Sequence, residues 1–359
     1  MPQTSFLPKV RFNSAENISR VVTVNRLFFI FLFLSTFSFN SNLFAQNPVD
    51  IPAENEIQDE DSRIPFNEIW AYVMIGEENS LSKDYPVTDV GYFVNAVNNF
   101  SEFVPVPKRT AKFPDYKGRI HLVSSVDSKA QTHLLLDPKL PLRNKILKQL
   151  VKEAEDYDGV QIDWELVMKE DDRNFWNFLK LLKKRLRGKM LTVAIPARTK
   201  TLERDAYDYA ELSKIVDKII VMAYDEHWST SAPGPIASMA WCKRITDYAK
   251  TVIPEDKLVM GCPFYARAWN DESVGRKAYR MYRVDDVVKA NKVTTFKKSP
   301  DGDLSFSFDT KTKVTVFYDT VESSVLRCKS YKDSEISRLA FWRVGQEIPD
   351  FWDNLKIDD

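Results

Sequence analysis

Hydrophobic positions along the chain follow two alternating patterns. Short, almost continuous apolar runs are separated by longer stretches in which apolar residues recur at helical spacing. We interpret the runs as strands, and they cover residues 68–75, 88–94, 119–124, 159–165, 190–195, 218–224, 257–264 and 338–344. Eight strands are therefore predicted.

The stretches between the strands predict crossover helices. Helical spacing is clearest for two sets of residues, namely Ile146, Leu147, Leu150, Val151 and Ala154, and then Phe175, Trp176, Leu179, Leu182 and Leu186. Strands of nearly continuous Val, Ile and Leu that alternate with amphipathic helices are typical of a parallel sheet covered by helices. Eight such strands favour an α/β fold that closes into a (β/α)8 TIM barrel, with a doubly wound open sheet as the alternative.

The segment between the seventh and eighth strands is too long for one crossover helix. It contains strand-like residues 304–308 and 314–318 and a turn at 300–303. We therefore predict a small α+β insertion at about residues 270–325 that flanks the active-site end of the barrel.

The amino-terminal region differs from the rest of the chain. An apolar run at 27–39 follows Arg20 and Arg26 and precedes a possible cleavage site after Ala45. We interpret residues 1–46 as a signal peptide or an uncleaved N-terminal anchor, 47–63 as an acidic linker and 64–359 as the barrel domain. The expected location is periplasmic or extracellular, with no stable membrane span once the signal is removed.

Charge and cysteine content narrow the possible partners. Lys plus Arg and Asp plus Glu both number 51, and no basic stripe stands out, so nucleic acid is not an expected partner. The three cysteines form no Cys-x-x-Cys pair, and we predict neither a metal site nor a cofactor. Aromatic residues make up 13% of the chain, which allows an aromatic-lined groove.

The fourth strand carries the candidate chemistry. Because side chains alternate along a strand, Gln161, Asp163 and Glu165 share one side, while Val160, Ile162 and Trp164 form the other. The alternative is that these residues form a solvated polar face. A parallel barrel strand is buried on both sides, however, and burying a carboxyl group is costly, so acids that point into the barrel indicate a functional role. Glu165 ends the series at the carboxyl end of its strand, where barrel enzymes place catalytic groups.

The two carboxyl groups should influence each other's ionisation. Their Cα atoms are expected about 6.6 Å apart, and carboxylates about 5 Å apart repel by roughly 3 kcal/mol, or about two pKa units, at an effective dielectric constant near 20. We therefore expect the carboxyl groups of Asp163 and Glu165 to share one proton. Glu165, nearer the cleft, is the better proton donor, and Asp163 is the better orienting partner.

The segment Asp158-Gly-Val-Gln-Ile-Asp-Trp-Glu165 resembles the Asp-x-x-Asp-x-Asp-x-Glu signature of glycoside hydrolase family 18, the chitinase-like enzymes. Three further segments are similar to the family's sixth-, seventh- and eighth-strand motifs, namely 222–225, 261–269 and 341–342. The resemblance covers about residues 65–355. Within the family, the bacterial spore-cortex and peptidoglycan-acting N-acetylglucosaminidases look most similar, through residues 224–228, 233–238 and 341–347.

The resemblance implies a substrate and a mechanism. The substrate would be a polysaccharide that contains N-acetylglucosamine, either peptidoglycan or chitin, whose own acetamido oxygen attacks the anomeric carbon. Glu165 would protonate the glycosidic oxygen and later deprotonate water, while Asp163 and Tyr224 would hold the acetamido group. Trp342 would form an apolar floor under the reacting sugar. The other implied subsite residues are Gln161, Met222, Asp225, Tyr265 and Arg267, of which Met222 could equally be core and Tyr265 could pack the insertion.

Two departures from the family pattern touch the chemistry. Gln161 replaces the middle Asp, and Ser124-Ser-Val-Asp127 replaces a Ser-x-Gly-Gly pattern. We expect the neutral amide of Gln161 to donate a hydrogen bond to Asp163 and to keep Asp163 ionised. The alternative functions are a chitinase-like lectin that binds the same sugars without cleaving them, and an envelope interaction protein.

Overall fold

The described part of the chain is a closed parallel barrel with one inserted sheet. The structure is a computed structural model, and it describes residues 62–94, 97–98, 100–270, 277–310 and 312–358. In chain order the strands are β1 (Ile64–Phe66), β2 (Glu68–Met74), β3 (Asp89–Phe93), β4 (Arg119–Val126), β5 (Gly159–Trp164), β6 (Met190–Pro196), β7 (Lys218–Met222), β8 (Leu258–Pro263), β9 (Tyr265–Asn270), β10 (Lys277–Arg280), β11 (Lys297–Lys298), β12 (Leu304–Asp309), β13 (Lys313–Tyr318), β14 (Arg338–Trp342) and β15 (Leu355–Ile357). The barrel order is β14-β2-β3-β4-β5-β6-β7-β8.

The predicted barrel is confirmed, and the open-sheet alternative is wrong. β14 pairs in parallel with both β2 and β8, which closes the ring. Each of the eight predicted runs corresponds to one barrel strand, with ends that differ by at most two residues.

Helices cover the outside of the barrel, and one further helix packs on the inserted sheet. They are α1 (Arg109–Lys112), α2 (Lys129–Leu136), α3 (Pro141–Glu153), α4 (Asp172–Arg185), α5 (Tyr209–Ser213), α6 (Met239–Val252), α7 (Val284–Ala290) and α8 (Val321–Asp333). The two predicted crossover helices are α3 and α4. Local chemistry starts several of the helices: Pro141 occupies the first turn of α3, and the side chain of Ser238 accepts a hydrogen bond from the backbone of Trp241 at the start of α6.

Two apolar layers hold the barrel strands in register. Outward side chains pack against the helices; Trp164 of β5, for example, lies with its ring centroid 4.7 Å from that of Phe178 of α4. The inner layer is a separate cluster that consists of Trp70, Tyr72, Phe93, Val123, Ala194, Ile220, Val259 and Ala340. Burying one large apolar side chain stabilises the fold by about 1.5–3 kcal/mol, so a one-residue slip of β5, which would exchange its inner and outer faces, is strongly disfavoured.

The predicted insertion between the seventh and eighth barrel strands is a five-stranded antiparallel sheet in the order β10-β9-β13-β12-β11. Its first strand, β9, begins at Tyr265, directly after β8. Phe306, Val316 and Ala268 form a small core of their own under α7. Because β9 continues from β8, the sheet is tied to the carboxyl end of the barrel.

The predicted signal peptide and almost all of the acidic linker lie outside the described residues. The described fold begins just before β1, which pairs in parallel with β15. Within the described ranges, no helix is long and apolar enough to cross a membrane.

Candidate active site

β5 places its polar residues inside the barrel, as its alternation predicts. Gln161 is fully buried, its side-chain oxygen accepts a hydrogen bond from Tyr72 Oη at 2.8 Å, and its amide nitrogen donates to Thr192 Oγ1 at 3.0 Å. Burial, followed by the nearby Asp163, raises the pKa of Tyr72, so its hydroxyl stays neutral and able to donate. The prediction that Gln161 donates to Asp163 is wrong, because strands β2 and β6 supply the partners of the amide.

Asp163 lies above Gln161 in an environment that retains a proton. Its side chain is 7% exposed, and Oδ1 is buried without a hydrogen-bond partner. Burial, reinforced by repulsion from Glu165, raises the pKa of Asp163 to about 8. The expectation that Asp163 is kept ionised is therefore also wrong: near neutral pH this carboxyl group is protonated.

Glu165 follows the last residue of β5 and is held by its backbone. Its N–H donates to the carbonyl oxygen of Val126 at the end of β4, at 2.6 Å. The hydroxyl of Tyr207 donates to the carbonyl of Trp164 and accepts from the backbone N–H of Val167, both at 2.8 Å, which fixes the turn on either side of the acid. Glu165 is exposed to the cleft, but the surrounding protein atoms reduce the hydration of its carboxyl group and so raise its pKa, and the charges of Asp225 and Asp127 raise it further.

A cleft of about 480 Å³ opens in front of these two acids at the carboxyl end of the strands. Its lining residues are Phe93, Val97, Asn98, Ser125, Val126, Asp127, Gln131, Asp163, Glu165 and Trp342. The half-buried ring of Trp342 packs edge-on against Phe93, with centroids 4.7 Å apart, and in a tilted arrangement against Tyr72, with centroids 5.4 Å apart. The cleft therefore combines a fixed flat aromatic surface with carboxyl groups, a combination that suits a sugar ring.

A second group of predicted residues assembles around Asp225, just past the end of β7. The hydroxyl of Tyr265 donates to Asp225 Oδ1 at 2.5 Å, and Arg267 forms an ion pair with the same oxygen. The ring of Tyr224 lies edge-on to Tyr265 with centroids 6.2 Å apart. Through the effect of Asp225 on the pKa of Glu165, this group is electrostatically connected to the acid.

Gly261 of β8 is needed to seat Tyr224. A Cβ atom at this position would lie 2.8 Å from the carbonyl oxygen of Val221 and 3.0 Å from the Tyr224 ring. Met222, by contrast, packs against the inner apolar cluster of the barrel, the core position that was its alternative interpretation. The structure thus brings Glu165, Asp163 and Trp342 to one cleft, with Tyr224 and the Asp225 group beside it.

Sequence reasoning missed several residues of the site. Asp127 was noted only as part of a departure from the family pattern, although it directly follows a barrel strand, which is the signal that identified Glu165. Tyr72 and Phe93 lie within apolar runs of the sequence. That their side chains point into the barrel becomes apparent only once the register of the strands is known. In the described portion of the chain, no group of three or more His, Cys, Asp or Glu side chains is arranged to hold a metal ion.

The fold and this cleft define an eight-stranded parallel barrel protein with an acid pair at one strand end and an aromatic side chain in the same cleft. The model of glycosyl hydrolases family 18 matches residues 30–347. The chain belongs to this family.

Individual relatives are distant. The uncharacterized glycosylase YvbX of Bacillus subtilis is 27% identical over 209 residues, a match that covers 56% of this chain and 61% of that protein's length. Among solved structures, the spore cortex-lytic enzyme SleL of Bacillus cereus has a TM-score of 0.71 at 21% identity, over 82% of this chain and 76% of the other. A chitinase from Chromobacterium violaceum has a TM-score of 0.68 at 20% identity, over 80% and 97%.

Proposed function

We propose that this protein is an exported, retaining glycoside hydrolase that cleaves β-1,4 linkages at N-acetylglucosamine in peptidoglycan or chitin. One observation carries the proposal: a strand-end glutamate, Glu165, and a buried carboxyl group, Asp163, share a cleft that Trp342 also lines. Relatives described as cortex-lytic enzymes and chitinases support the same class of substrate.

Glu165 would be the proton donor to the glycosidic oxygen, because it is exposed to the cleft at the end of its strand whereas Asp163 is buried, and its raised pKa means that it holds its proton at a higher pH than an ordinary glutamate. In the mechanism we propose, the substrate's acetamido oxygen attacks the anomeric carbon as the leaving oxygen takes that proton. The glutamate, now ionised, then removes a proton from the water that opens the cyclic intermediate. One carboxyl group thus serves as acid and then as base.

Asp163 would hold the acetamido group during both steps. Its Oδ1 is buried and has no partner in the protein, so an acetamido N–H would supply the missing hydrogen bond and align the oxygen for attack. Repulsion between Asp163 and Glu165 means that loss of the proton from Glu165 favours proton retention on Asp163. The pair therefore never needs to carry two negative charges.

A lectin of the same sugars is the second candidate, and Gln161 is the observation that favours it. Gln161 occupies the position where the family pattern has an Asp. Its amide oxygen accepts a hydrogen bond from Tyr72, and its amide nitrogen donates one to Thr192. A carboxylate that could exchange a hydrogen bond with Asp163 is therefore missing at this position. Such a protein would bind the substrate without turnover.

The experiment compares N-acetylated chito-oligosaccharides, peptidoglycan glycan strands and fully deacetylated oligosaccharides of matched length. We expect at least one N-acetylated polymer to be hydrolysed and the deacetylated oligosaccharide to remain uncut. Binding of the N-acetylated sugars without product would establish the lectin instead. Equal cleavage of both oligosaccharides would refute the participation of the acetamido group.

A further inference from the structure

Asp127 lies directly beside Glu165, across the boundary between β4 and β5. The two strands pair in parallel with Ser125 opposite Asp163 and Val126 opposite Trp164, so the next pair in register is Asp127 with Glu165. The hydrogen bond from Glu165 N to Val126 O continues this ladder past the end of β5. Neighbouring strands lie about 4.8 Å apart, so Asp127 and Glu165 are cross-strand neighbours whose side chains share the inner side of the barrel.

Asp127 has no cationic partner among the described residues. The side chain is exposed at the cleft, and within the described residues it takes part in no ion pair. No Lys or Arg is among the described residues that line the cleft.

Glu165 is faced by several titratable groups, and they differ in how far their charge is neutralised. Asp225 forms an ion pair with Arg267, and Asp163 retains a proton up to about pH 8. Asp225 and then Asp127 raise the pKa of Glu165, and Asp127 is the one of these two that forms no ion pair among the described residues. Among the described residues, the titratable groups that interact with Glu165 are Asp163, Asp127, Asp225 and the hydroxyl of Tyr207, and Arg267 forms an ion pair with Asp225.

We propose that Asp127 is a positioning residue that holds the proton on Glu165, and that it supplies from β4 a negative charge that the family pattern would place at residue 161 on β5. The two departures from the family pattern are then related, because the charge that is absent at Gln161 is present at Asp127. A charge at residue 161 would act on Asp163 beneath the acid, whereas a charge at Asp127 acts on the acid itself. The role rests on the proposed function, because Glu165 must be the proton donor for its proton to matter.

Three variants and a pH profile test this proposal. Asp127→Asn removes the charge at nearly constant shape, Asp127→Glu keeps it, and Asp115→Asn removes an exposed charge at the opposite end of the barrel. For Asp127→Asn we expect the basic limb of the kcat/KM profile to move about 0.5–1 pH unit toward acid, because an exposed charge is partly screened. Asp127→Glu and Asp115→Asn should follow the wild type, and about 1 M salt should shrink the shift.

A second measurement does not need turnover. In protein with 13C-labelled glutamate, the side-chain signal of Glu165, assigned through Glu165→Gln, should titrate at a lower pH in Asp127→Asn than in the wild type. Superimposable titrations would overturn the proposal even in an active enzyme, and so would a Glu variant that behaves like the Asn variant. If Glu165 titrates at a lower pH in Asp127→Asn than in the wild type but neither protein cleaves a polymer, the result would count against the hydrolase function and not against the role of Asp127.

Discussion

Replacing Asp163 with Asn should remove activity and stabilise the protein at the same time. The wild-type carboxyl group has a pKa of about 8 in the folded state, against an ordinary value of 3.8. Below about pH 4, both the folded and the unfolded chain hold the proton, so the group contributes no pH-dependent term. Between about pH 4 and pH 8 the unfolded chain ionises while the folded chain stays protonated, and folding becomes less favourable as pH rises.

The magnitude follows from the shift. Each pKa unit corresponds to about 1.36 kcal/mol, so a shift of about four units costs the wild type at most about 6 kcal/mol once the pH exceeds 8. Asn cannot ionise, so the variant does not lose this stability as the pH rises. Its amide is nevertheless a buried polar group that needs hydrogen-bond partners. We therefore expect Asp163→Asn to be more stable than the wild type by about 2–4 kcal/mol at pH 8 and about equally stable at pH 4.

Urea unfolding followed by tryptophan fluorescence at pH 4, 6 and 8 measures this difference. Asp115→Asn, at an exposed site on the amino-terminal side of the barrel, controls for the general effect of removing a carboxylate. A stability difference for Asp163→Asn that does not change with pH would refute the reasoning that burial, rather than hydrogen bonding, sets the ionisation of this group.

Three other substitutions have defined outcomes. Tyr72→Phe leaves the buried oxygen of Gln161 without its donor, so the free energy of unfolding should fall by about 1–3 kcal/mol in urea titrations; an unchanged value would mean that the bond contributes nothing. Trp342→Ala removes the aromatic floor and should weaken oligosaccharide binding at least about tenfold by calorimetry, whereas unchanged affinity would place the sugar elsewhere. Arg327→Met leaves the buried Asp319 without its ion-pair partner and should cost about 3–5 kcal/mol of stability; a melting temperature equal to that of the wild type would contradict this.

Much of the fold could be predicted because barrel strands are buried on both faces. Burial on both sides produces runs such as that of β5, whose outward Val160 and Ile162 pack under helices while its inward residues carry the polar groups. The same alternation placed Asp163 and Glu165 correctly on the inner side. Local sequence patterns are sufficient for such features, because each depends on residues within one strand.

The partners of Gln161 could not be predicted for the opposite reason. Tyr72 lies 89 residues before Gln161 and Thr192 lies 31 residues after it, and only the barrel register brings the three side chains together. Because the sequence does not reveal those partners, the amide of Gln161 was expected to donate a hydrogen bond to Asp163, which lies on the same side of the strand. The ionisation of Asp163 was mispredicted as a consequence, since it depends on burial that strand alternation alone does not quantify.

The central claim is that Glu165 donates the proton that breaks the glycosidic bond. Glu165→Gln keeps the size and the hydrogen-bonding capacity of the side chain but removes its acid, so it separates chemistry from binding. We predict that turnover of the N-acetylated substrate falls at least about a thousandfold, while calorimetric affinity for the same oligosaccharide stays within about threefold of the wild type. Wild-type turnover by Glu165→Gln would contradict the claim.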